Sequence, residues 1–453
     1  MAVRREPNER LAAVIAESGC TYEALAKQVR TVAAEAGEAL RTSRSAVFFW
    51  VNGGTPTGKT ATYLAEALSR MTKRKVTVTE IRLGCDGIGE AMSADPLAAA
   101  ADLGRFAMQH RRDFLTAAFA AAAVGLPLTY DHQAAAATLR AADSGGRIGM
   151  EEVSCIRRFT EMFRSADDRL GGGYGLTAVT VYFTDTVVQL LSGRFPSEQV
   201  RRDAYGAAAT LACLVGWKHH DLGREGAAQR FYLLGYQLAC ESDPAGHGAW
   251  MMRALTHQAL DVGQPAHCVE SAEAALSRAR KKVDRNTEAL LLVTAARAYG
   301  ACGEGTKAAA ALVSAEDAML VTDDAVPSYA AASGPVAATI ASHTAKTLTE
   351  LRDHKAAEQH YRLALKDRTP ETYQRVHGLT MANLAKSVAA QRRHDEALGL
   401  WHRSLDFMGG VASDRNRKEI TTMRSVLVGY RKRGIAGAAE LDQRAADVLR
   451  AMA

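Results

Sequence analysis

The sequence predicts an all-α protein: a small N-terminal helical domain followed by a long stack of helix pairs. Two observations carry that expectation. Alanine, the best helix former, is conspicuously abundant, and ten prolines in 453 residues leave room for long uninterrupted helices. After about residue 200, a triplet of small, bulky-or-small and small-or-apolar residues at spacings of four and three recurs at intervals near 40 residues. The composition, 47% apolar and 23% charged, is that of a soluble globular chain and excludes wholesale disorder. The length allows two or three domains.

The first helix is expected over residues 8–18, with Leu11, Val14 and Ile15 at helical spacing and Gly19 as its stop. Thr21 is a good N-cap for a second helix, TYEALAKQVRTVAAEAG, with Leu25, Ala26 and Val29 on one face. A third should begin at Thr42 or Ser43 and run through Val51, ended by Asn52-Gly53-Gly54, residues that tolerate positive φ. A fourth, TATYLAEALSRM, follows Pro56, and VTVTEIRLG closes the unit.

Charge singles out this unit. The net charge is +6; residues 1–83 hold 13 Lys+Arg against 8 Asp+Glu, so nearly all the surplus lies on the first fifth of the chain. A compact basic domain on a neutral body points to a polyanion partner. Within the third helix, Arg44 and Ser45 stand at the N-terminal end, where a helix in the major groove meets base edges, and Arg can bind guanine O6 and N7 together. Phe49 follows one turn on, while Val47 and Trp50 point into the core. Ser43 caps the helix, and its N-terminal amides suit a phosphate. Arg41, Lys59 and Thr60 flank it as candidate phosphate contacts, and Phe48 and Phe49 are candidates for thymine methyls.

The stretch SRSAVFFWVNGGTP, followed by TYLAEALSR and preceded by ALAKQV, resembles the helix-turn-helix domain of XRE-type repressors, with SRSAVFFWV as its recognition helix. In one respect it departs: Arg30 to Arg41 separate the second helix from the third, where that family has a tight turn. GCTYEALA and WVNGG-P, ahead of a long helical body, are similar to a set of actinobacterial regulators of that design. The resemblance implies operator DNA as partner.

Two motifs compete with this reading. GGTPTGKT, Gly53 to Thr60, fits the phosphate-cradling pattern G-x-x-x-x-G-K-[ST], with AVFFWV before it as a candidate strand. A nucleotide switch needs a parallel sheet beneath that loop, and only VTVYF at 179–183 reads as a buried strand downstream. His110 to Leu128, HRRDFLTAAFAAAAVGLPL, resembles a twin-arginine export signal, but it lies internally. Its apolar stretch of 15 residues is also short of the roughly 18–20 that span a bilayer. It reads as an Ala-rich helix. The first ten residues, MAVRREPNER, hold no apolar signal region. Seven scattered cysteines without a CxxC pair fit a reducing, cytoplasmic setting better than a disulfide framework or a zinc site.

Residues 84–150 read as a helical connector. From Met150 the helical pattern resumes, and FRSADDRLGGGYGLTAVTVYFTDTVVQLLSG gives two helices broken by three glycines. The recurring triplets are Ala227/Phe231/Leu234, Cys268/Ala272/Ala275, Ala308/Leu312/Ala315, Ala357/Tyr361/Ala364 and Ala397/Trp401/Ser404, at intervals of 41, 40, 49 and 40. Each follows a Gly- or Asp-marked turn, so each sits on the second helix of a pair, where small residues let two helices approach. The pattern resembles tetratricopeptide repeats with lengthened helices, and such units bury their apolar faces only by stacking into a curved solenoid. The 49-residue interval is expected to hold a longer loop. This makes three regions: a helix-turn-helix DNA-binding domain at 1–83, the connector, and a tetratricopeptide-like α-solenoid at 151–453.

Counting back from each turn places His257, Arg297, Lys346 and Lys386 at one inner-face position, with His343 and Asn383 three residues before the last two. In tetratricopeptide domains an Asn at that earlier position often clamps a peptide backbone, so these six residues are a candidate groove for a peptide or small anionic ligand. No catalytic constellation, metal set or cofactor motif stands out; His219-His220-Asp221 beside Trp217 read as part of a repeat turn. The sequence thus points to a DNA-binding transcriptional regulator without enzyme activity, acting as a homodimer. The alternatives are an interaction scaffold that meets protein instead of DNA, and a nucleotide switch using GGTPTGKT.

Overall fold

A computed structural model describes residues 7–35, 38–57, 59–74, 76–78, 80–83, 95–109, 148–320, 326–332 and 334–452. These are helical, as predicted; among the described residues no strand forms. The export-like stretch His110–Leu128 and most of the connector lie outside the described residues.

Four helices build the N-terminal unit: α1 (Glu9–Ser18), α2 (Tyr22–Glu35), α3 (Arg44–Val51) and α4 (Thr60–Thr72). Each expected apolar stripe is buried: Leu11, Val14 and Ile15 of α1 and Leu25, Ala26 and Val29 of α2 meet Val47 and Trp50 of α3. Asn8 caps α1 by accepting the Leu11 N–H at 3.0 Å, and its amide donates to the Ile81 carbonyl at 2.8 Å, tying the closing turns to the first helix. The Arg30–Arg41 departure from a tight turn takes a definite form. Helix α2 runs on to Glu35, and the following stretch is tied back by the Glu38 N–H on the Ala33 carbonyl and the Arg30 guanidinium on the Thr42 carbonyl. Arg70 of α4 pairs with Glu35 at 2.8 Å and fixes the end of the extended helix.

In the body, α5 (Pro96–Gln109) precedes α6 (Met150–Leu170), three glycines, α7 (Leu176–Val181), a π-helical stretch (Tyr182–Val187) and α8 (Val188–Leu191). VTVYF, the one strand-like run downstream, falls inside this helical series. Val179 and Phe183 are buried on one helical face, while Val181 is exposed on the other.

Then come the pairs α9 (Glu198–Asp221) and α10 (Glu225–Ser242), α11 (His247–Asp261) and α12 (Cys268–Ala279), α13 (Arg285–Ala301) and α14 (Gly305–Met319). The short α15 (Ser328–Ala331) stands in the long interval. After it come α16 (Val336–Glu350) and α17 (His354–Asp367), α18 (Pro370–Ala390) and α19 (His394–Met408), and α20 (Asp414–Lys432) and α21 (Ala438–Ala451). One device ends the first helix of every pair. A residue in the left-handed region (Gly223, Gly263, Gly303, Arg352, Arg392 or Gly434) lets two successive amides turn back onto the last helical carbonyls. In the first pair these bonds are Gly223 N–H to His220 O and Arg224 N–H to His219 O; in the last, Gly434 to Arg431 and Ile435 to Tyr430. Four positions use glycine, whereas Arg352 and Arg392 hold φ of 66° and 64° with a side chain present.

All five predicted triplets lie on the second helices and are buried. The structure adds a sixth pair outside the triplet pattern: Ala438 and Ala445 are fully buried, but Asp442 stands at the middle position and breaks the apolar pattern. Asp442 is tolerated there because Arg424 and Arg431 pair with it at 2.7 and 2.9 Å.

The stack is also tied across its two ends. Helix α6 packs against both α9, near the start, and α18, near the end. The glycines after α6 make this contact: Ala412 donates to the Leu170 carbonyl at 2.9 Å and accepts from Gly173 at 3.1 Å. A Cβ on Gly171 would stand 2.6 Å from the Ala412 carbonyl oxygen, and one on Gly172 would stand 2.6 Å from that of Lys218. No residue but glycine passes between those two backbones without moving one of them.

Candidate functional site

Two regions collect the residues singled out by the sequence. The first is the outer face of α3. Ser43, extended at φ −120° and ψ 169°, accepts the Ala46 N–H at 3.4 Å and starts the helix. Val47 and Trp50 anchor its inner side, and Arg44, Ser45, Phe48 and Phe49 are exposed on the other, with Arg41 just before them. Phe48 is 59% and Phe49 43% exposed, unusual for rings of this size. Gly53, at φ 86°, ends the helix, and the Gly54 N–H returns to the Phe49 carbonyl at 2.8 Å. A Cβ on Gly54 would sit 2.3 Å from the Phe49 ring, so this glycine fixes where that ring lies.

The flanking candidates divide. Lys59 is half-buried and pairs with Glu38 at 3.4 Å, and Thr60 is buried in the first turn of α4. Thr60 therefore does not lie on the face that carries Arg44. GGTPTGKT connects α3 to α4, and the AVFFWV run before it is helical. The sheet that a phosphate-cradling loop requires is missing among the described residues, which corrects the strand expectation behind the nucleotide-switch alternative.

The second region is the inner face of the helix stack. Of the six candidate groove residues, the structure brings four together. The His343 ring approaches His257 Nε2 at 3.0 Å, and the Arg297 guanidinium donates to that same nitrogen at 3.1 Å. With Arg297 donating to it, His257 Nε2 is unprotonated. Burial, reinforced for His257 by Arg297 and for His343 by its histidine neighbour, pushes both rings well below the ordinary histidine range, so both are neutral. Arg297 also reaches Asp261 at 2.9 Å, and Lys346 lies 3.8 Å from the same carboxylate. Lys386 is elsewhere, paired with Glu419 at 2.5 Å, and half-buried Asn383 belongs to the same helix, α18.

The centre of this cluster, Asp261, was not singled out by the sequence. It gathers Arg297, Lys346, Arg415 at 3.0 Å and His220 at 3.6 Å. Burial opposes its charge, but Lys346, Arg297 and Arg415 outweigh burial and hold its carboxyl well below the usual range. His220 bridges Asp261 and Glu225; burial disfavours its charge, yet those two carboxylates raise it to about 9. The neighbouring His219, buried and stacked on Phe231 at 5.6 Å, is pushed down to about 3.

A second buried knot lies where the stack ends meet. Arg375 of α18 pairs with Asp167 of α6 at 2.7 Å and Asp221 of α9 at 2.8 Å, all three being at most 1% exposed. Trp217 donates its indole N–H to Asp167 at 3.1 Å, with the Arg375 and Arg415 guanidiniums 5.2 and 5.1 Å from its ring centre. A signal for these residues existed. Trp217 lies one 40-residue step before His257, and Asp221 lies one step before Asp261.

Among the described residues, no group of three or more His, Cys, Asp and Glu could hold a metal ion, and no helix is long and apolar enough to cross a membrane. In comparison with known families, residues 11–84 match the SP15 N-terminal domain. The match runs from α1 into the turns after α4 and leaves the helical body unassigned. No curated protein matches the chain.

Proposed function

We propose that the protein is a cytoplasmic DNA-binding transcriptional regulator, a binding protein and not an enzyme. Its N-terminal unit reads duplex DNA, and its helical body serves as receiver for a ligand and as the place where two copies join. The observation that carries this reading is the outward face of α3, a capped helix with Arg44 and Ser45 at its exposed start and Arg41 beside them. Such a helix places an arginine where base edges are met, and its free N-terminal amides suit a backbone phosphate. One helix of this length makes few base contacts, which favours two half-sites and a two-fold dimer.

The experiment is selection of bound fragments from random duplex DNA by the full-length chain, followed by titration of the selected site at several salt concentrations. Affinity falling steeply and linearly on a log–log salt plot supports the reading. An Arg44→Ala variant should lose about 1–3 kcal/mol, with relaxed preference at one base pair. Failure to enrich any sequence overturns it. One observation favours a second reading: exposed Phe48 and Phe49 make the same face suited to a protein partner. Salt-insensitive capture of one protein, lost in a Phe48→Ser, Phe49→Ser variant, would establish that scaffold role.

A further inference from the structure

The inner cluster gathers basic side chains around few acceptors. Arg297 and Arg415 cannot lose their protons, Lys346 is a third basic group beside them, and Glu350 acts on Arg297 and Lys346 from farther off. Among the described residues, the only carboxylate with which any of the three forms an ion pair is Asp261. His220 adds no surplus, because Glu225, 2.7 Å away, answers it. Arg297 is 3% exposed and its Nε, buried, has no hydrogen-bond partner. An arginine this deep normally has its donors satisfied, because an unanswered buried donor costs as much as a lost hydrogen bond. The cluster is not sealed: the side chains of Lys346 and Arg415 remain 23% and 21% exposed, which gives a route from solvent.

We propose that this site binds a small anion bearing a carboxylate or phosphate group, held beside Asp261 by Lys346, Arg297 and Arg415. This deepens the ligand-receiver reading above and rests on it, but not on DNA binding. The ligand class follows from geometry. Three basic side chains converge on one carboxylate from three helices, α13, α16 and α20, and with the unpartnered Arg297 Nε they present donors that suit an anionic group. The neutral His257–His343 pair beside Arg297 adds no competing charge. An anion here also links α20, at the end of the stack, to α13 and α16 in its middle.

Lys346 records occupancy. Its neighbours are Asp261 and His257 from α11, Arg297 from α13, Arg415 from α20, and Glu350 and His343 from its own helix, with Tyr361 of α17 beside Glu350 and Arg253 behind the histidines. Burial first, and the arginines against the pull of Asp261, bring its amine down to about 7. An added anion favours the charged amine, so binding above neutral pH must take up a proton.

The test is calorimetric titration of the full-length protein with inorganic phosphate and, separately, with succinate, at pH 8.0 in two buffers of different ionisation enthalpy. Binding of either anion with uptake of close to one proton is expected. Lys346→Met should weaken binding at least tenfold, while Lys346→Arg should bind with no proton uptake, and circular dichroism checks that each variant folds. Phosphate binding without succinate binding assigns a phosphoryl ligand, and the reverse a carboxylate. Binding of neither anion, or unchanged proton uptake in Lys346→Arg, overturns the proposal. Operator DNA is absent from this assay, so a negative result leaves the DNA reading standing, and a failed DNA selection leaves this one standing.

Discussion

Single side chains in the body are held by charges that water does not reach. Arg375 answers two carboxylates at once, each as buried as itself. Its removal leaves Asp221 without its ion-pair partner and Asp167 with Lys218 alone, at 3.4 Å, so Arg375→Met should lower unfolding free energy by about 3–5 kcal/mol, read from urea midpoints at constant slope. His220 gives a pH signature of definite sign. Its folded value, about 9, lies above the ordinary 6.5, so its stabilisation is fully present below pH 6.5 and is lost as pH rises through 9. The stability gap between wild type and His220→Gln should therefore be on the order of 2–4 kcal/mol at pH 6 and shrink towards pH 10. At this scale the sequence was half legible. The cations of the inner face could be placed by counting back from turns, because the spacing is constant. Asp261 could not, since a lone aspartate two residues before a turn looks like an ordinary solvated helix end. Only the fold, which brings α16 and α20 over it, shows that four cations share it.

At the level of elements, glycine usage separates close approach from mere helix interior. Gly172 threads past the Lys218 carbonyl with no room for a Cβ, whereas Gly399 sits exposed within α19 with nothing within 4 Å of its own. Gly172→Ala should cost about 1–3 kcal/mol through overpacking, while Gly399→Ala should gain about 0.5–1 kcal/mol of helix propensity. Thermal midpoints of the two variants would move in opposite directions. Element boundaries were well announced where caps and stops are local: Ser43 before α3, Gly19 after α1 and the turn glycines of the repeat all act within a few residues. The VTVYF run shows where local pattern misleads. β-Branched residues favour strands only when a sheet is there to receive them, and here a helix buries Val179 on one face and exposes Val181 on the other. The sixth pair escaped notice because an ion-paired aspartate occupies a place where the other five carry an apolar or small residue.

At the scale of the molecule, the consequence of joining the first pair to the fifth is cooperativity. An open array of helix pairs unfolds by fraying from its ends, as a chain of nearest neighbours does. Here α6 and its glycines bridge α9 and α18, and Arg415 of α20 pairs with Asp261 of α11, so neither the first pair nor the sixth is held by its sequence neighbour alone. With the N-terminal tryptophan replaced (Trp50→Phe), urea unfolding followed by Trp217, Trp250 and Trp401 fluorescence and by far-ultraviolet circular dichroism should give coincident transitions. Separate transitions would show that the bridge is weak. The three-glycine run was visible in the sequence as a helix break, but its partner, Ala412, lies some 240 positions away, and no local pattern announces a contact of that range.

That bridge also governs how the body can answer a signal. A coil with loose ends stretches by degrees, and its output grows in proportion to what is loaded onto it. A clasped ring has no such gradation: its pitch is fixed until the clasp at Arg375 and Ala412 lets go, and then it changes all at once. In the receiver role proposed above, this construction would convert a smooth rise in ligand into a threshold.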